Sequence, residues 1–336
     1  MAVTMKDIAE MAQVSRPVVC AVLGGKSTCR VSAEKRKRIL ELVEEYGYQP
    51  NLQARSLRSG KTKIVGLLFP SFHDRVIGEI MSELYRCLRD AGYSTLISVW
   101  ENLDELDAAY KSMMGNKVDG LITCDYRKEL NVKNIPTVVY GRVSDKVDCI
   151  AIDYHTAFRE TAEYLAGLGH RRIGYIGPKG IRYESLYEEF SRNPEFDLSS
   201  VAHVGGLSEG GIAGIHRLME NNTNKPTAIL CHNDAVALAA MAEAQRMGYV
   251  IGKDLSFIGL DNTKESEISA WPTLTTIDTF IVKKAGMMTD MLLARLNDPQ
   301  RPFETVILET KLIVRESCGP CKKQKINRKK VMSKEI

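Results

Sequence analysis

Residues 5–25, MKDIAEMAQVSRPVVCAVLGG, govern how the rest of the chain is read. Thr4, just ahead of them, is a side-chain acceptor at the start of an apolar-periodic run. Asp7 three residues later can close a capping-box pair and complement the helix dipole. Ile8, Ala9, Met11 and Ala12 then share one face at helical spacing. Ser15 offers a second N-cap, and Pro17 is tolerated where first-turn amides have no partner. Val19, Val22 and Leu23 form the next stripe, which Gly24 and Gly25 stop. A third helix is predicted from Ser32 through Ile39, Leu42, Val43 and Tyr46 to Gly47. Two short helices joined by about three residues, the second exposing its N-terminal residues, fit a helix-turn-helix that reads a DNA major groove. A plain three-helix bundle with solvated charges fits the spacing as well, and the basic run Lys35–Arg38 suits either.

Charge separates this head from the remainder of the chain. The 336 residues carry 46 Lys and Arg against 42 Asp and Glu, a net of +4. Residues 1–63 alone are +6 and residues 317–336 are +6, so the stretch between them is −8. A basic head and tail on an acidic body point to a polyanion at one end and different work in the middle. The longest apolar run, Ala235–Ala242, is far short of the ~20 residues that span a bilayer. With no apolar leader and eight cysteines in a long chain, reduced thiols in a cytoplasm are expected, with no membrane partner.

From Lys63 the pattern turns to alternating strands and helices. Strands are predicted at 64–69, 95–99, 120–123, 137–140, 172–176, 202–204, 228–231 and 255–258. Helices are predicted at 77–90, 103–114, 154–168, 183–192, 209–220, 235–247 and 283–297. Repeated β-α units imply parallel sheets covered by helices on both faces, and some 250 residues of them suit two lobes better than one sheet.

The head resembles the lactose-repressor (LacI/GalR) family. The match runs through K-D-I-A, A-x-V-S, V-S-A-E-K-R and L-x-x-x-Y-G-Y-x-P-N-x-x-A-R-S-L-R-x-G. It continues in the body at V-D-G-L-I (118–122), I-D-Y-H-T-A-F (152–158), L-A-G-L-G-H-R-R-I-G-Y-I-G (165–177) and P-T-A-I-L-C-H-N-D-A-V-A-L-A (226–239). K-D-L-S-F-I-G-L-D-N (253–262) and P-T-L-T-T-I (272–277) complete it. The resemblance implies an all-α helix-turn-helix head on a two-lobed α/β body of the periplasmic-binding-protein kind, with parallel sheets. It divides the chain into a DNA-binding domain at 1–49, a hinge helix and linker at 50–62, an effector-binding and dimerisation body at 63–316 and a basic tail at 317–336. One lobe is expected at 63–153 plus 280–300, the other at 154–279 plus 301–316.

The resemblance also assigns roles. Thr4, Ser15, Arg16, Pro17, Val18 and Ala21 fall in the DNA-facing part of the head, with Arg16 expected to carry most of the base readout and Val18 to meet a thymine methyl. Relatives commonly read Thr-Val-Ser-Arg where this chain has Val18-Val19-Cys20-Ala21. Losing a guanine-reading Arg removes ~1–3 kcal/mol of discrimination per base pair, so a relative's operator cannot be carried over. Asn51, Ala54, Arg55, Leu57 and Arg58 match a hinge helix, Leu57 as a minor-groove wedge and the arginines as phosphate contacts. For the effector, Arg182, Asn233 and Asp261 match a polar clamp bordered by Phe72, His73, Asp74 and Arg142. Asn233 and Asp261 are equally good turn formers. Relatives' Asn-Pro-Phe-Phe is replaced here by Asp74-Arg75-Val76-Ile77, so a stacking ring would have to come from Phe72, Tyr140 or Trp271.

The expected function is a homodimeric, cytoplasmic, nucleoid-associated regulator, a repressor in most relatives, that binds palindromic double-stranded DNA under control of a small effector, with carbohydrate as the expected class. No cofactor, metal or catalytic residue is expected. Gly174–Gly180 lacks G-x-G-x-x-G spacing, and Cys318-Gly-Pro-Cys321 lacks the strand-to-helix setting of a redox motif. A free solute-binding protein and a sugar-converting α/β enzyme are the rival readings. The first leaves the head unexplained, and the second lacks a catalytic constellation.

Overall fold

A computed structural model describes residues 3–24, 31–49, 56, 60–70, 75–124, 135–141, 143–220, 224–268 and 271–322. The chain divides into two compact units, Met1–Lys63 and Ile64–Ile336.

The first unit has helices α1 (Met5–Met11), α2 (Arg16–Leu23) and α3 (Ala33–Glu45). Thr4 and Asp7 form the capping box reciprocally: the Asp7 amide donates to the Thr4 hydroxyl, and the Thr4 amide to the Asp7 carboxylate at 2.8 Å. Ser32 caps α3 by accepting from the Lys35 amide, whereas Ser15 at the head of α2 makes no side-chain cap bond. Ile8, Ala9, Ala12, Val19, Val22, Ile39 and Leu42 meet in one small core. Each large aliphatic buried there contributes ~1.5–3 kcal/mol of transfer free energy, a thin margin for so short a unit.

The second unit contains two six-stranded sheets. The first takes β1 (Ile64–Pro70), β2 (Ser94–Trp100), β3 (Gly120–Cys124), β4 (Thr137–Tyr140), β5 (Asp148–Ile152) and β11 (Thr305–Leu308). Their order is β11-β5-β4-β3-β1-β2, all neighbours parallel. The second takes β6 (Arg172–Gly177), β7 (Asp197–His203), β8 (Ala228–Cys231), β9 (Ser256–Leu260), β10 (Thr275–Asp278) and β12 (Lys311–Ile313). Their order is β12-β10-β9-β8-β6-β7, and only β12 pairs antiparallel. Helices α4 (Arg75–Asp90) and α5 (Leu103–Gly115) follow β1 and β2, and α11 (Ile281–Asn297) packs on β3, β4 and β5. The second sheet carries α6 (Tyr154–Gly167), α7 (Ile181–Ser191), α8 (Ser208–Met219), α9 (Asp234–Arg246) and the short α10 (Lys264–Ile268). Helix α4 buries Val76, Ile77, Ile80, Met81, Leu84 and Leu88 as one stripe. Strands β3, β4 and β5 are buried along their whole length, as strands covered on both faces must be.

The chain passes between the sheets three times, after β5, β10 and β11. This corrects the expected division of the C-terminal stretch: 301–316 does not lie wholly with the second lobe. Thr305–Leu308 hydrogen-bonds alongside Cys149–Ile152 in the first sheet, and only from Lys311 does the chain join the second. A buried fork fixes that return. Arg295 on α11 donates to both oxygens of Asp148 at 2.8 and 2.9 Å and to the carbonyls of Pro299, Arg301 and Pro302.

The basic tail does not begin at 317. Ser317 is fully buried: its hydroxyl donates to the Phe257 carbonyl and accepts from the Thr275 amide, and its own carbonyl takes the Phe257 amide. The Cys321 amide donates to the Leu168 carbonyl, and His170 meets the Gly319 carbonyl at 3.0 Å. Cys318 and Cys321 are free thiols, and burial pushes the Cys318 thiol up to about 12, which keeps it protonated. No helix among the described residues is long and apolar enough to cross a membrane.

Candidate functional site

In the first unit, Arg16, Pro17 and Cys20 are exposed on α2, with Ala21 half-buried beside them. Arg16 and Cys20 lie one turn apart, so they share a face. Tyr48 sits beside that face: burial raises its pKa, Arg16 lowers it and Cys20 raises it. Val18 is half-buried, packed against the head's core. Thr4 and Ser15 are exposed at the starts of α1 and α2. Cys20 is absent from the sequence-predicted set, although its i+4 spacing from Arg16 is visible in the sequence. Asn51, Ala54, Arg55, Leu57 and Arg58 lie outside the described residues.

The second cluster assembles where the carboxyl ends of the parallel strands meet, the usual ligand position in open α/β sheets. Gly177 ends β6 with φ 155°, and a Cβ there would lie 2.5 Å from the Cβ of His232, so only glycine lets this turn sit flush against the end of β8. The turn delivers Arg182, near the start of α7, whose side chain is 15% exposed. Its guanidinium donates to the His232 carbonyl at 2.7 Å, to the Tyr154 hydroxyl at 3.2 Å and to both oxygens of Asp261 at 3.3 and 3.4 Å. A tight charge-assisted pair lies at ~2.7–2.9 Å, so the Asp261 carboxylate is loosely held and keeps capacity for other donors. Asp261 follows β9 at φ 105° and also accepts from the Thr279 hydroxyl at 3.1 Å. Burial works against the Arg182 charge, yet Asp261 and Tyr154 beside it raise its pKa well above the ordinary value. Burial and then Arg182 hold His232 well below the usual histidine range, hence neutral, and burial pushes Tyr154 up to about 12.

Two groups missing from the sequence-predicted set complete the cluster. Lys284 on α11 is fully buried; its ammonium donates to the Tyr140 hydroxyl at 3.0 Å and to Thr279 at 3.2 Å, and lies 4.6 Å from the Tyr140 ring centre. Its signal is a lysine set on the apolar stripe Ile281, Ala285, Met288, Leu292. Asp234, 1% exposed, accepts from the Thr263 amide and hydroxyl and from Thr276. Burial lifts its pKa to about 7.

The other expected residues fare differently. Asn233, 2% exposed, caps α9 by accepting from the Val236 amide and donates to the Gly206 carbonyl, both at 2.9 Å. Trp271 is 80% exposed and takes no part in the cluster. Phe72, His73, Asp74 and Arg142 lie outside the described residues. Across the strand ends, Arg75 of α4 meets Glu265 of α10 at 2.7 Å, an ion pair from one lobe to the other.

This architecture is that of a DNA-binding head joined to a two-lobed small-molecule-binding body. Residues 4–51 match the model of bacterial regulatory proteins of the lacI family, and 162–318 match a periplasmic binding protein-like domain. The HTH-type transcriptional repressor PurR of Escherichia coli O139:H28 is 30% identical, covering 94% of this chain and 96% of its own. The ribose operon repressor of Haemophilus influenzae is 28% identical, covering 94% and 98%. The lac repressor dimer bound to operator and the anti-inducer ONPF superposes with a TM-score of 0.84 at 25% identity, over 94% of this chain and 99% of that one. The chain belongs to the LacI family of DNA-binding transcriptional regulators.

Proposed function

We propose that this protein is a homodimeric transcriptional repressor whose affinity for a palindromic operator is set by a small polar effector held at the Arg182–Asp261–Lys284 cluster. The observation that carries the reading is the presence in one chain of an exposed Arg16 face on a helix-turn-helix and a buried, loosely paired polar cluster at the carboxyl ends of two parallel sheets.

Two copies are required by affinity arithmetic: a single helix-turn-helix covers one half-site, and nanomolar specific binding takes two. In the dimer, Arg16, Pro17, Cys20 and Ala21 read base edges, while Thr4, Ser15, Arg55 and Arg58 meet phosphates and Asn51, Ala54 and Leu57 enter the minor groove. Control is linkage. Effector moves the DNA equilibrium only as far as it prefers one lobe arrangement over the other, and the Arg75–Glu265 pair belongs to one such arrangement. The cluster presents an acceptor carboxylate and a guanidinium of the kind that takes vicinal hydroxyls. Catalysis is not part of the reading.

The test is operator affinity by fluorescence anisotropy with and without each metabolite that raises the melting temperature of the full chain. At least one stabilising metabolite should change operator affinity about five-fold or more. If every metabolite that stabilises the protein leaves operator affinity unchanged, the regulatory reading is wrong.

A further inference from the structure

We infer that the effector carries an oxyanion, a phosphate ester or a carboxylate, in addition to its hydroxyls, and that Lys284 receives it. The inference deepens the proposed function and rests on the strand-end cluster being the effector site. Within that cluster two fully or nearly buried cations, Arg182 and Lys284, stand against one directly engaged carboxylate, Asp261. Arg182 faces Asp261 itself. Lys284 reaches it only through Thr279, whose hydroxyl accepts from the ammonium at 3.2 Å and donates to Asp261 at 3.1 Å. Among the described residues Lys284 makes no ion pair. Its partners are two neutral hydroxyls and the face of Tyr140.

Among the described residues, the other carboxyls nearby do not fill the gap. Asp278 lies at the half-buried rim, where its oxygens take the Phe280 amide and the Asn262 side chain. Asp234 is enclosed by Thr263 and Thr276 and touches neither cation.

A lysine in such surroundings is unfavourable unless something negative arrives, because a buried charge needs a partner as well as hydrogen bonds. An ammonium has three N–H donors and two are used by Tyr140 and Thr279, so one remains for a ligand oxygen. Its place is suitable: Tyr140 ends β4 in the first sheet, Thr279 follows β10 in the second, and Lys284 lies on the first turn of α11 where the chain passes between them. An oxyanion bound there would contact both lobes at once, with Arg182 and Asp261 left for the hydroxyls. A neutral sugar would leave the second cation uncompensated.

The experiment compares matched probes on the full chain by calorimetry and thermal shift: ribose against ribose 5-phosphate, glucose against gluconate, and inorganic phosphate alone. Each is repeated on Lys284→Met, which keeps the length and removes the charge. The expected result is that a charged probe binds at least about ten-fold tighter than its neutral parent and that K284M erases this preference, while free K284M melts no lower than the parent protein. A preference for the ester identifies a phosphate-bearing effector, and one for gluconate a carboxylate. Neutral parents binding as tightly as their charged forms would overturn the oxyanion while leaving the effector site in place. An unchanged preference in K284M, or a lower melting temperature in that variant without ligand, would make Lys284 a structural residue and overturn its role. Silence from every probe counts against both the oxyanion and the effector reading.

Discussion

At the residue scale, direct readout and buried ionisation make separate predictions. Arg16 projects from the first turn of α2, where a guanidinium can fork onto a guanine edge. Arg16→Ala should flatten preference at one base pair per half-site by ~1–3 kcal/mol in competition binding against single-base operator variants. A uniform loss across all variants would make Arg16 a phosphate contact instead. Asp234 makes a different prediction. Burial raises its folded pKa to about 7, above the 3.8 of the free side chain, so the folded state holds its proton where the unfolded state releases it. The stability this contributes is complete below pH ~3.8 and is lost as pH rises through 7, at up to ~1.4 kcal/mol per pH unit. Asp234→Asn should remove that slope from denaturant melts between pH 5 and 7, and an unchanged slope would assign it to other groups.

Legibility in the sequence is uneven at this scale, for physical reasons. The Thr4–Asp7 box is local, and local hydrogen bonds are written in consecutive residues. Arg182 and Asp261 are placed by motif alone, since 79 residues separate them in the chain. An asparagine at a strand end serves a cap or a clamp equally in the sequence, and the cap bond of Asn233 to the Val236 amide appears only in the folded chain. Lys284 looks like an ordinary lysine of the last helix, although it interrupts the buried stripe of α11.

At the scale of elements, most strands and helices of the body are visible as alternating β-rich and 3.6-periodic runs. Strands β5 and β10 are not: each is only four or five residues long and carries an aspartate at one end, Asp148 and Asp278, so little apolar run is left to read. The final segment escapes for a related reason: three- and four-residue strands carry almost no pattern, and their partners lie far away in sequence. Residues 317–322 group with the basic tail on charge, whereas Ser317, Cys318 and Gly319 hydrogen-bond to β9 and β10. A chain ending at Glu316 loses those bonds and leaves Phe257 and Thr275 amides buried without partners, at ~1–3 kcal/mol each. A chain ending at Lys322 keeps them. The first truncation should lower the melting temperature by about 5 °C or more, and the second should leave it unchanged. Equal melting temperatures would mean that the segment merely rests on the sheet.

At the scale of the whole molecule, the near-neutral total charge is the sum of a basic head, an acidic body and a basic end, and among the described residues the helix-turn-helix lies in the head. Under the proposed function, specific DNA binding belongs to residues 1–60 and its control to the strand-end cluster. The most direct test is selection of duplexes from a random pool by the full chain, followed by titration of the winning sequence. The expected result is a palindromic consensus bound at about 10 nM or tighter near physiological salt, with affinity falling steeply as salt rises and specific binding abolished when residues 1–60 are removed. Enrichment of no sequence, or equal binding by the truncated protein, would contradict it.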